Sequence, residues 1–384
     1  MSVPAYWDKG DIPWVSSGDM KTLVLTETGQ SITLAAIENS SAPLLPKEAI
    51  VVVTRSGILR KYLPVAIMGK PMAINQDLKA LVPKAGVVPG FVLHSLIAHG
   101  PQILARCLKS GTTVESIEFG WFKRFEIPLP PTQEEQRAIA TALSDVDGLL
   151  GSLDALIAKK KAIKQGAMQQ LLTGKQRLPG FEGEWEVKTM RQLGNVYGGL
   201  TGKSKPDFGE GNARYIPFMN IMNGPVIDTS FLDRVCVGPA ESQNKAQKGD
   251  LFFNGSSETP EEVGMCSMLR EDIADLYLNS FSFGFRLTKE MKADGMFLSY
   301  WFRSPAGRKA IYSSAQGATR YNLAKSNFNR LEVPYPKPEE QTAIATVLSD
   351  MDVELEALAA RRAKTALLKQ GMMQELLTGR TRLV

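Results

Sequence analysis

Two stretches of the chain carry the same spacing of apolar residues along a largely polar background. In the first, apolar side chains recur at alternating intervals of four and three residues, at Ile139, Leu143, Val146, Leu150, Leu153 and Ile157. The second repeats this spacing at Ile344, Leu348, Met351, Leu355 and Leu358. Such spacing is typical of a helix that buries one narrow stripe against another helix. It predicts two long helices, each of about 40 residues and about 60 Å at 1.5 Å per residue.

Signals for the ends of a helix flank both stretches. Prolines ahead of the first stretch hold the chain extended, and Thr132 and Glu135 have the spacing of a capping box. Gly174 and Gly379 follow the last apolar residues and are expected to end the two helices. Because a lone helix of this length would leave its stripe exposed, we expect the two helices to pack against each other in antiparallel fashion.

The two stretches are copies of one another. They align with an offset of 205 residues, which places Gln136 on Gln341 and Leu171 on Leu376. The segments between them resemble each other only weakly, so the chain has the order globule, helix, globule, helix. The predicted boundaries are 1–127, 128–180, 181–333 and 334–384. The expected fold class is α+β, with two mixed α/β domains separated by an antiparallel pair of coiled-coil helices and an internal pseudo-two-fold repeat.

Each globular segment has its own pattern of strands and helices. In the first, a β-branched run predicts a strand at 50–54, and helical periodicity predicts a helix at 91–108. In the second, the pattern predicts strands at 215–219, 250–253 and 281–287 and a helix at 296–311. Both segments are therefore expected to be mixed α/β domains.

The two globular segments differ in length at their beginnings. About 30 residues precede the Ile216-Pro217 pair of the second, counted from Trp185, whereas eleven precede Ile12 in the first. Relative to the second, the first is expected either to lack its first strand or loop, or to begin upstream of Met1.

Composition sets further bounds. The net charge is +5 and the isoelectric point is near 8.9, which permits a polyanionic partner without requiring one. The three cysteines show no paired spacing, and neither a targeting segment nor an apolar run of about 18 residues is present. We therefore expect a cytoplasmic protein with reduced cysteines.

The sequence offers little for catalysis. Both histidines, His94 and His99, lie in an apolar helical stretch, where packing or surface roles are more common than catalytic ones. The cysteines lack the spacing of metal ligands. We therefore predict no catalytic residues, no metal site and no cofactor.

Residues suited to contact DNA form one cluster in each globular segment. Lysine and arginine neutralise phosphates, whereas Arg, Asn, Gln, Ser and Thr can bind base edges. The candidates in the first segment are Arg55, Ser56, Arg60, Lys61 and Tyr62. Those in the second are Lys203, Lys205, Asn254, Ser256, Ser257, Arg320, Tyr321 and Asn322. For any one of these residues, solvated surface remains the better interpretation, and the groups favour DNA contact only in a protein of a DNA-binding kind.

Apolar residues outside the helix stripe suggest a second kind of surface. They are Ile163, Met168, Met372 and Met373. Such residues belong to a core by default, and the alternative is that they bind a partner helix.

Several motifs together resemble one known family. Residues 12–20 read IPWVSSGDM, and the first helix is preceded by IPLPP at 127–131 and by Glu134-Glu135-Gln136. The first helix closes on LLTG at 171–174 and the second on LLTG at 376–379. Over essentially the whole chain, these features resemble the specificity (S) subunit of type I restriction-modification systems.

The resemblance implies a function without catalysis. It implies two target-recognition domains, each binding one half of a bipartite site in double-stranded DNA, and a helical spacer that docks methyltransferase (M) subunits, expected to be two. The M subunits would carry S-adenosylmethionine and methylate adenine, and restriction (R) subunits would add ATP-driven translocation and cleavage. A different hypothesis is a non-catalytic coiled-coil adaptor whose globules bind proteins. Salt-sensitive binding to duplex DNA separates the two.

Overall fold

The computed structural model describes residues 3–109, 113–314 and 321–383. The chain forms two compact units. Unit 1 comprises residues 1–155 and 359–384, and unit 2 comprises residues 156–358. Each unit therefore combines a globular segment with part of both long helices. The division into four consecutive segments stays a prediction, because each compact unit contains parts of the long helices together with a globular segment.

Unit 1 contains two small sheets. Its strands are β1 (Ile12–Val15), β2 (Val24–Leu25), β3 (Gln30–Ile32), β4 (Ile50–Val53), β5 (Val65–Met68), β6 (Ala73–Ile74) and β7 (Leu78–Leu81). One sheet has the order β3-β1-β6 and the other β2-β5-β4-β7. Strand β4 is fully buried and pairs antiparallel with β5 and β7. The strand predicted at 50–54 is thus confirmed.

Unit 1 also contains short helices and parts of the two long helices. They are α1 (Leu34–Asn39), α2 (Pro89–Ala98), α3 (Gly100–Cys107), α4 (Phe119–Phe122), the first part of α5 (Gln133–Leu171) and the last part of α11 (Pro338–Leu376). The helix predicted at 91–108 is two helices, because the chain breaks at His99 and restarts with Pro101 in the first turn of α3. Leu93 and Leu96 of α2 belong to the same core cluster as β4.

Unit 2 is richer in strands. They are β8 (Glu186–Thr189), β9 (Gly194–Gly198), β10 (Phe208–Ile216), β11 (Asp233–Val235), β12 (Leu251–Asn254), β13 (Ser256–Ser257), β14 (Cys266–Met268), β15 (Leu276–Leu278), β16 (Ser282–Leu287), β17 (Tyr321–Asn322) and β18 (Glu332–Tyr335). The sheet orders are β14-β12-β16-β9, β11-β10-β15, β13-β17 and β18-β8. Strands β12 and β16 confirm two predictions, at 250–253 and 281–287.

Prolines mark where several helices of unit 2 begin. The helices of this unit are the last part of α5, α6 (Met190–Leu193), α7 (Phe218–Asn223), α8 (Gly295–Arg303), α9 (Pro305–Ser314), α10 (Lys325–Arg330) and the first part of α11 (Pro338–Leu376). The strand predicted at 215–219 stops at Ile216, because Pro217 ends the ladder and α7 begins. The helix predicted at 296–311 is broken at Ser304-Pro305, for the same reason as in unit 1.

Aromatic rings fill the core of unit 2. Phe253 of β12 lies edge-on to Phe302 and Phe328, with ring centroids 4.9 and 4.8 Å apart, and is stacked on Phe283 at 5.4 Å. Pairs of this kind add a directional attraction to the area that they bury. They fix β12 and β16 against α8 and α10, and so fix the loops that leave these strands.

Both long helices span 39 residues. The Thr132 hydroxyl accepts a hydrogen bond from the Glu135 amide at 3.3 Å, as predicted for an N-cap. The Glu135 carboxylate, however, binds the guanidinium of Arg382 instead of closing the capping box. Gly174 and Gly379 have φ of 68° and 74°, the left-handed conformation that ends a helix.

The apolar stripe of each helix is buried at its start. Ile139 and Leu143 pack in a cluster with Phe91 of α2, and Ile344 and Leu348 pack in the aromatic core of unit 2. The first turns of both helices are therefore held by a globule. In the described ranges, no helix has the length and apolar character needed to cross a lipid bilayer.

Candidate nucleic-acid interface

In unit 1 the predicted cluster lies where buried strand β4 reaches the surface. Thr54 is buried, and its amide and hydroxyl both donate to the Asp77 carbonyl, at 2.8 and 3.0 Å. Arg55 is exposed and pairs with Ser116 in an isolated antiparallel bridge. The Ser56 amide donates to the Glu115 carbonyl at 3.0 Å. We call residues 54–62 corner 1.

The remaining candidates of corner 1 lie on or beside a short 3-10 helix, Gly57–Arg60. Arg60 forms an ion pair with Glu115, and this hydrogen bond lowers the pKa of the Glu115 carboxyl. Lys61 is exposed, and Tyr62 is 52% exposed. Corner 1 therefore presents Arg55, Lys61 and an aromatic ring to solvent, whereas the charge of Arg60 is partly neutralised.

In unit 2 the equivalent position is the end of β12. Ser256 and Ser257 form β13, which pairs with Asn322 and Tyr321 of β17. We call residues 254–257 together with 321–322 corner 2. The structure therefore brings together four of the predicted residues that are distant in the sequence.

Asn254 requires a correction. Its side chain is fully buried, so it cannot reach a nucleic acid. Its amide donates to the carbonyls of Glu262 at 2.8 Å and Ser256 at 3.3 Å, and its oxygen accepts from the Met265 amide at 2.6 Å. Asn254 thus holds the loop that shapes corner 2 and does not contact a ligand.

The two predicted lysines of unit 2 differ in availability. The Lys203 side chain is only 3% exposed and binds the Glu241 carboxylate, with Nζ 2.7 Å from Oε1. This hydrogen bond is the main reason that the pKa of Glu241 is lowered to about 2. Lys203 is therefore a poor candidate for a phosphate contact, whereas Lys205 is exposed. Arg320 lies outside the described residues.

The sequence analysis did not predict the turn that lies beside each corner. In unit 1 the Asn75 side chain accepts from the Asp77 amide at 3.1 Å. In unit 2 the Asn279 side chain accepts from the Phe281 amide at 3.0 Å. Asparagine two residues before the bonded amide is the signature of an Asx-turn, and this signal was available in the sequence. Phe281 was instead interpreted as the start of a strand.

An open cavity adjoins corner 2. It has a volume of about 370 Å³ and is lined by Phe218, Ser256, Ser257, Glu258, Glu262 and Phe281. Phe281 is 67% exposed, the second most exposed large apolar side chain in the described ranges. The combination of aromatic rings with hydroxyl and carboxylate groups suits a ligand that has both apolar and hydrogen-bonding edges.

The predicted partner surface on the helices is only partly exposed. Ile163 is 47% exposed. Met168 packs against the core of unit 2, and Met372 and Met373 pack against the cluster around Phe91 in unit 1. Three of the four predicted residues therefore have a packing role. Sequence reasoning missed exposed apolar positions beside them, namely Leu149, Leu156, Val353, Leu367 and Leu368.

His94 is a buried packing residue. Its Nε2 lies 3.0 Å from the Ser144 hydroxyl, and its Nδ1 lies 3.9 Å from an Asp147 carboxylate oxygen, too far for a hydrogen bond. Burial, with help from the nearby charge of Lys369, lowers the pKa of His94 to about 4. A side chain with no access to solvent cannot serve an external substrate. Among the described residues, no group of metal-ligating side chains comes together.

Both units match the same sequence family. The profile described as "Type I restriction modification DNA specificity domain" matches residues 2–164 and again residues 182–364. The chain belongs to this family. Each match contains one corner and the start of one long helix.

Two proteins similar to this chain are named as specificity subunits. The chain is 34% identical over 160 residues to the type I restriction enzyme EcoR124I/EcoR124II specificity subunit of Escherichia coli, a match that covers 42% of this chain and 39% of that protein. It is 27% identical over 341 residues to a putative type I restriction enzyme MjaX specificity subunit of Methanocaldococcus jannaschii, covering 82% and 74%.

Among solved structures, the S subunit of a type I restriction-modification system from M. genitalium has a similar fold. The TM-score is 0.58 at 16% identity, over 98% of this chain and 91% of that one. The mixed α and β architecture expected from the sequence is thereby supported by a structural relative.

Proposed function

We propose that the chain is the non-catalytic specificity subunit of a type I restriction-modification complex, and that each unit binds one half of a bipartite DNA site. One observation carries this proposal: the specificity-domain family matches twice, and each match contains a corner with the same backbone geometry. Two similar domains with different side chains at the same corner are suited to bind two different half-sites.

Ion pairs support an internal pseudo-two-fold repeat. In unit 2, Arg177 binds Glu340 and Lys164 binds Asp352. In unit 1, the residues related to these by the offset of 205 make the same pairs, which are Arg382 with Glu135 and Lys369 with Asp147. The recurrence of paired charges, and not merely of sequence letters, favours a duplicated unit.

The order of the pairs supports antiparallel packing of the helix segments within a unit. In unit 1 the acidic residues Glu135, Asp147 and Asp154 bind, in turn, Arg382, Lys369 and Arg362. The residue numbers of the acidic partners rise along the first helix, while those of their basic partners fall along the second. Arg362 takes the place of the apolar Ile157 of the first helix and joins Asp154 through two nitrogens, at 2.9 and 3.2 Å. These contacts support the proposed coiled-coil pair.

For DNA contact, the corners offer two kinds of side chain. Lys61 in unit 1 and Lys205 in unit 2 are exposed cations that can neutralise phosphates, and the exposed guanidinium of Arg55 can both neutralise a phosphate and bind a base edge. Ser56, Ser256, Ser257 and Asn322 are polar residues on hydrogen-bonded backbone, and groups of this kind can bind base edges. This division into positioning and base-reading contacts is the usual one in protein–DNA interfaces.

We further propose that exposed apolar positions on the long helices dock the M subunits. Leu367 and Leu368 are 69% and 59% exposed, and Ile163 is 47% exposed. Ile163 and Leu368 are related by the offset of 205, so each unit offers a similar site. A pair of equivalent sites is consistent with two M subunits, which would supply the methylation chemistry, with R subunits added for cleavage.

The experiment that tests the proposal measures binding of the full chain, with and without its M subunits, to duplex DNA as salt is raised. If four phosphates are neutralised, affinity should fall about a hundredfold between 50 and 200 mM salt. The double variant Arg55→Ala, Lys61→Ala should show a shallower salt dependence. Lys47→Ala, an exposed lysine outside corner 1, serves as the control.

A coiled-coil adaptor is the competing hypothesis. Such a protein would bind proteins through its globules and would show no salt-dependent affinity for duplex DNA. If the full chain with its partners binds no DNA at low salt, the specificity-subunit proposal is wrong.

A further inference from the structure

Phe281 is a large apolar side chain held in solvent by a rigid turn. Its amide donates to the Asn279 side chain at 3.0 Å, and its carbonyl accepts from the Gly255 amide at 3.1 Å. Asn279 is buried and donates to the Ile216 carbonyl at 3.1 Å. Both backbone groups of Phe281 are thus fixed, yet its side chain is 67% exposed. This exposed ring is of interest because it also lines the cavity beside corner 2.

The ring lies beside corner 2. The cavity of about 370 Å³ that it lines is shared with Phe218 and with Ser256 and Ser257 of β13. The Gly255 amide that binds the Phe281 carbonyl directly precedes β13. The turn is therefore hydrogen-bonded directly to the start of the proposed base-reading strand.

Unit 1 has the same turn, with Asp77 at the tip position that Phe281 occupies in unit 2. There Asn75 accepts from the Asp77 amide, and the Asp77 carbonyl accepts from the amides of Thr54 and Arg55. The Asn75 amide donates to the Val15 carbonyl at 3.0 Å, just as Asn279 donates to Ile216 at 3.2 Å. The backbone frame is thus kept while the side chain at the tip changes from the half-buried carboxylate of Asp77 to the exposed ring of Phe281. This is what a residue that distinguishes two half-sites requires.

We propose that Phe281 is a specificity-determining residue that contacts the 5-methyl group of a thymine in the second half-site. This inference rests on the proposed DNA-binding function and assigns a ligand to the cavity. Thymine is the base that presents an apolar group in the major groove, next to its O4 acceptor. The cavity offers the aromatic rings of Phe281 and Phe218 for the methyl group. The hydroxyls of β13 lie beside them, and that of Ser257 donates to the Glu262 carboxylate at 3.1 Å.

A wedge inserted between base pairs is the other use of an apolar side chain on DNA. A wedge enters the base stack and partly unstacks two neighbouring base pairs. Phe281 instead forms one wall of a cavity with Phe218 and polar groups at its rim. This arrangement favours contact with a base edge over insertion between bases.

The test uses the full chain with its M subunits and the half-site sequences obtained by mapping methylated adenines. Each thymine of the second half-site is replaced singly by uracil, which lacks the methyl group. Wild-type protein should lose about fourfold in affinity at one position, the ratio expected from one buried methyl group. Phe281→Ala should bind the thymine and uracil duplexes equally, while keeping its preference in the first half-site.

Two control variants define the background. Phe231→Ala removes another exposed ring of unit 2, 40% exposed and outside the turn, and should keep the uracil effect. Asp77→Ala changes the equivalent tip in unit 1 and should alter the first half-site alone. Because Phe281 is exposed, its variant should match the wild-type thermal unfolding temperature.

Three results would overturn the inference. The first is that no uracil replacement lowers the affinity of the wild-type protein. The second is that uracil lowers the affinity of Phe281→Ala as much as that of the wild type. The third is that Phe281→Ala loses the same affinity on all sequences, which indicates a wedge or a non-specific contact. If wild-type protein fails to distinguish its site from random DNA, the proposed function itself fails. If the protein recognises its site and the Phe281→Ala variant recognises it equally well, the inference about Phe281 fails and the proposed function stands.

Discussion

At the scale of single residues, one position of the repeated unit is a tyrosine in unit 2 and a histidine in unit 1. In unit 2 the Tyr300 hydroxyl binds Ser349 at 3.3 Å and Asp352 at 2.8 Å. The residues related to Ser349 and Asp352 in unit 1 are Ser144 and Asp147, and His94 occupies the place of the tyrosine. The shorter imidazole reaches Ser144 but leaves its own Nδ1 and one Asp147 oxygen without a hydrogen bond.

The pH dependence of stability should expose this difference. The pKa of His94 is lowered from 6.5 to about 4, so between these values the unfolded chain binds a proton that the folded protein does not. Stability should therefore fall as pH drops below 6.5, by up to about 1.4 kcal/mol per pH unit. At pH 5 the wild type should have lost about 2 kcal/mol from this group relative to pH 7.

His94→Tyr should remove that loss, because the tyrosine hydroxyl can reach both Ser144 and Asp147 without a titrating ring. Urea denaturation of the full chain at pH 7 and pH 5 measures the effect, and His99→Gln, which removes the other histidine, is the control. An identical loss of stability in the wild type and in His94→Tyr would contradict this account.

At the scale of elements, the long helices have two kinds of surface. Their first turns pack into the globules, whereas further along the helix Leu367 and Leu368 are mostly exposed. Exposed leucines in neighbouring positions have an energetic cost in water that a partner protein would remove. We therefore expect the docking surface to lie on these residues and on Ile163, and not on the half-buried methionines.

Charge substitution tests this assignment. Leu368→Asp and Ile163→Asp should each reduce co-purification of the M subunit at least tenfold, because a carboxylate at a desolvated apolar contact costs more than about 1.4 kcal/mol. Gln370→Asp places the same charge at an exposed polar position of α11 and should have no effect. Unchanged complex formation by both apolar variants would show that the M subunit binds elsewhere.

At the scale of the whole molecule, one chain carries two similar units with separate cores. Arg55 in corner 1 and Ser256 in corner 2 lie at matching places on their bridged strands, next to Ser116 and Asn322. The change from a guanidinium to a hydroxyl at this position suits different base edges. Recognition of the two half-sites should therefore be separable by mutation.

Methylation mapping of two variants checks this expectation. Arg55→Ala should relax one position of the first half-site by roughly tenfold, as expected from the loss of one base contact, and leave the second unchanged. Ser257→Ala should do the reverse. A variant in one corner that alters both half-sites would show that the units do not bind independently.

The long helices, their ends and the repeat could be predicted from the sequence because each depends on neighbours within a few turns. The spacing from Ile139 to Ile157 marks the stripe, Thr132 marks the start and Gly174 marks the stop, and all three are local properties. The breaks at His99 and Ser304 were missed, although the prolines that follow them, Pro101 and Pro305, are visible in the sequence.

Only the tertiary structure decided which polar residues are available for binding. Lys203 is neutralised by Glu241, a residue 38 positions away, and Asn254 is buried by a loop that returns at Glu262 and Met265. Phe281 is exposed because its turn is anchored on Asn279 and on the strand before corner 2. Sequence alone determined the helices and the family, since spacing and motifs are local. Exposure depends on partners distant along the chain, and folding brings those partners into contact.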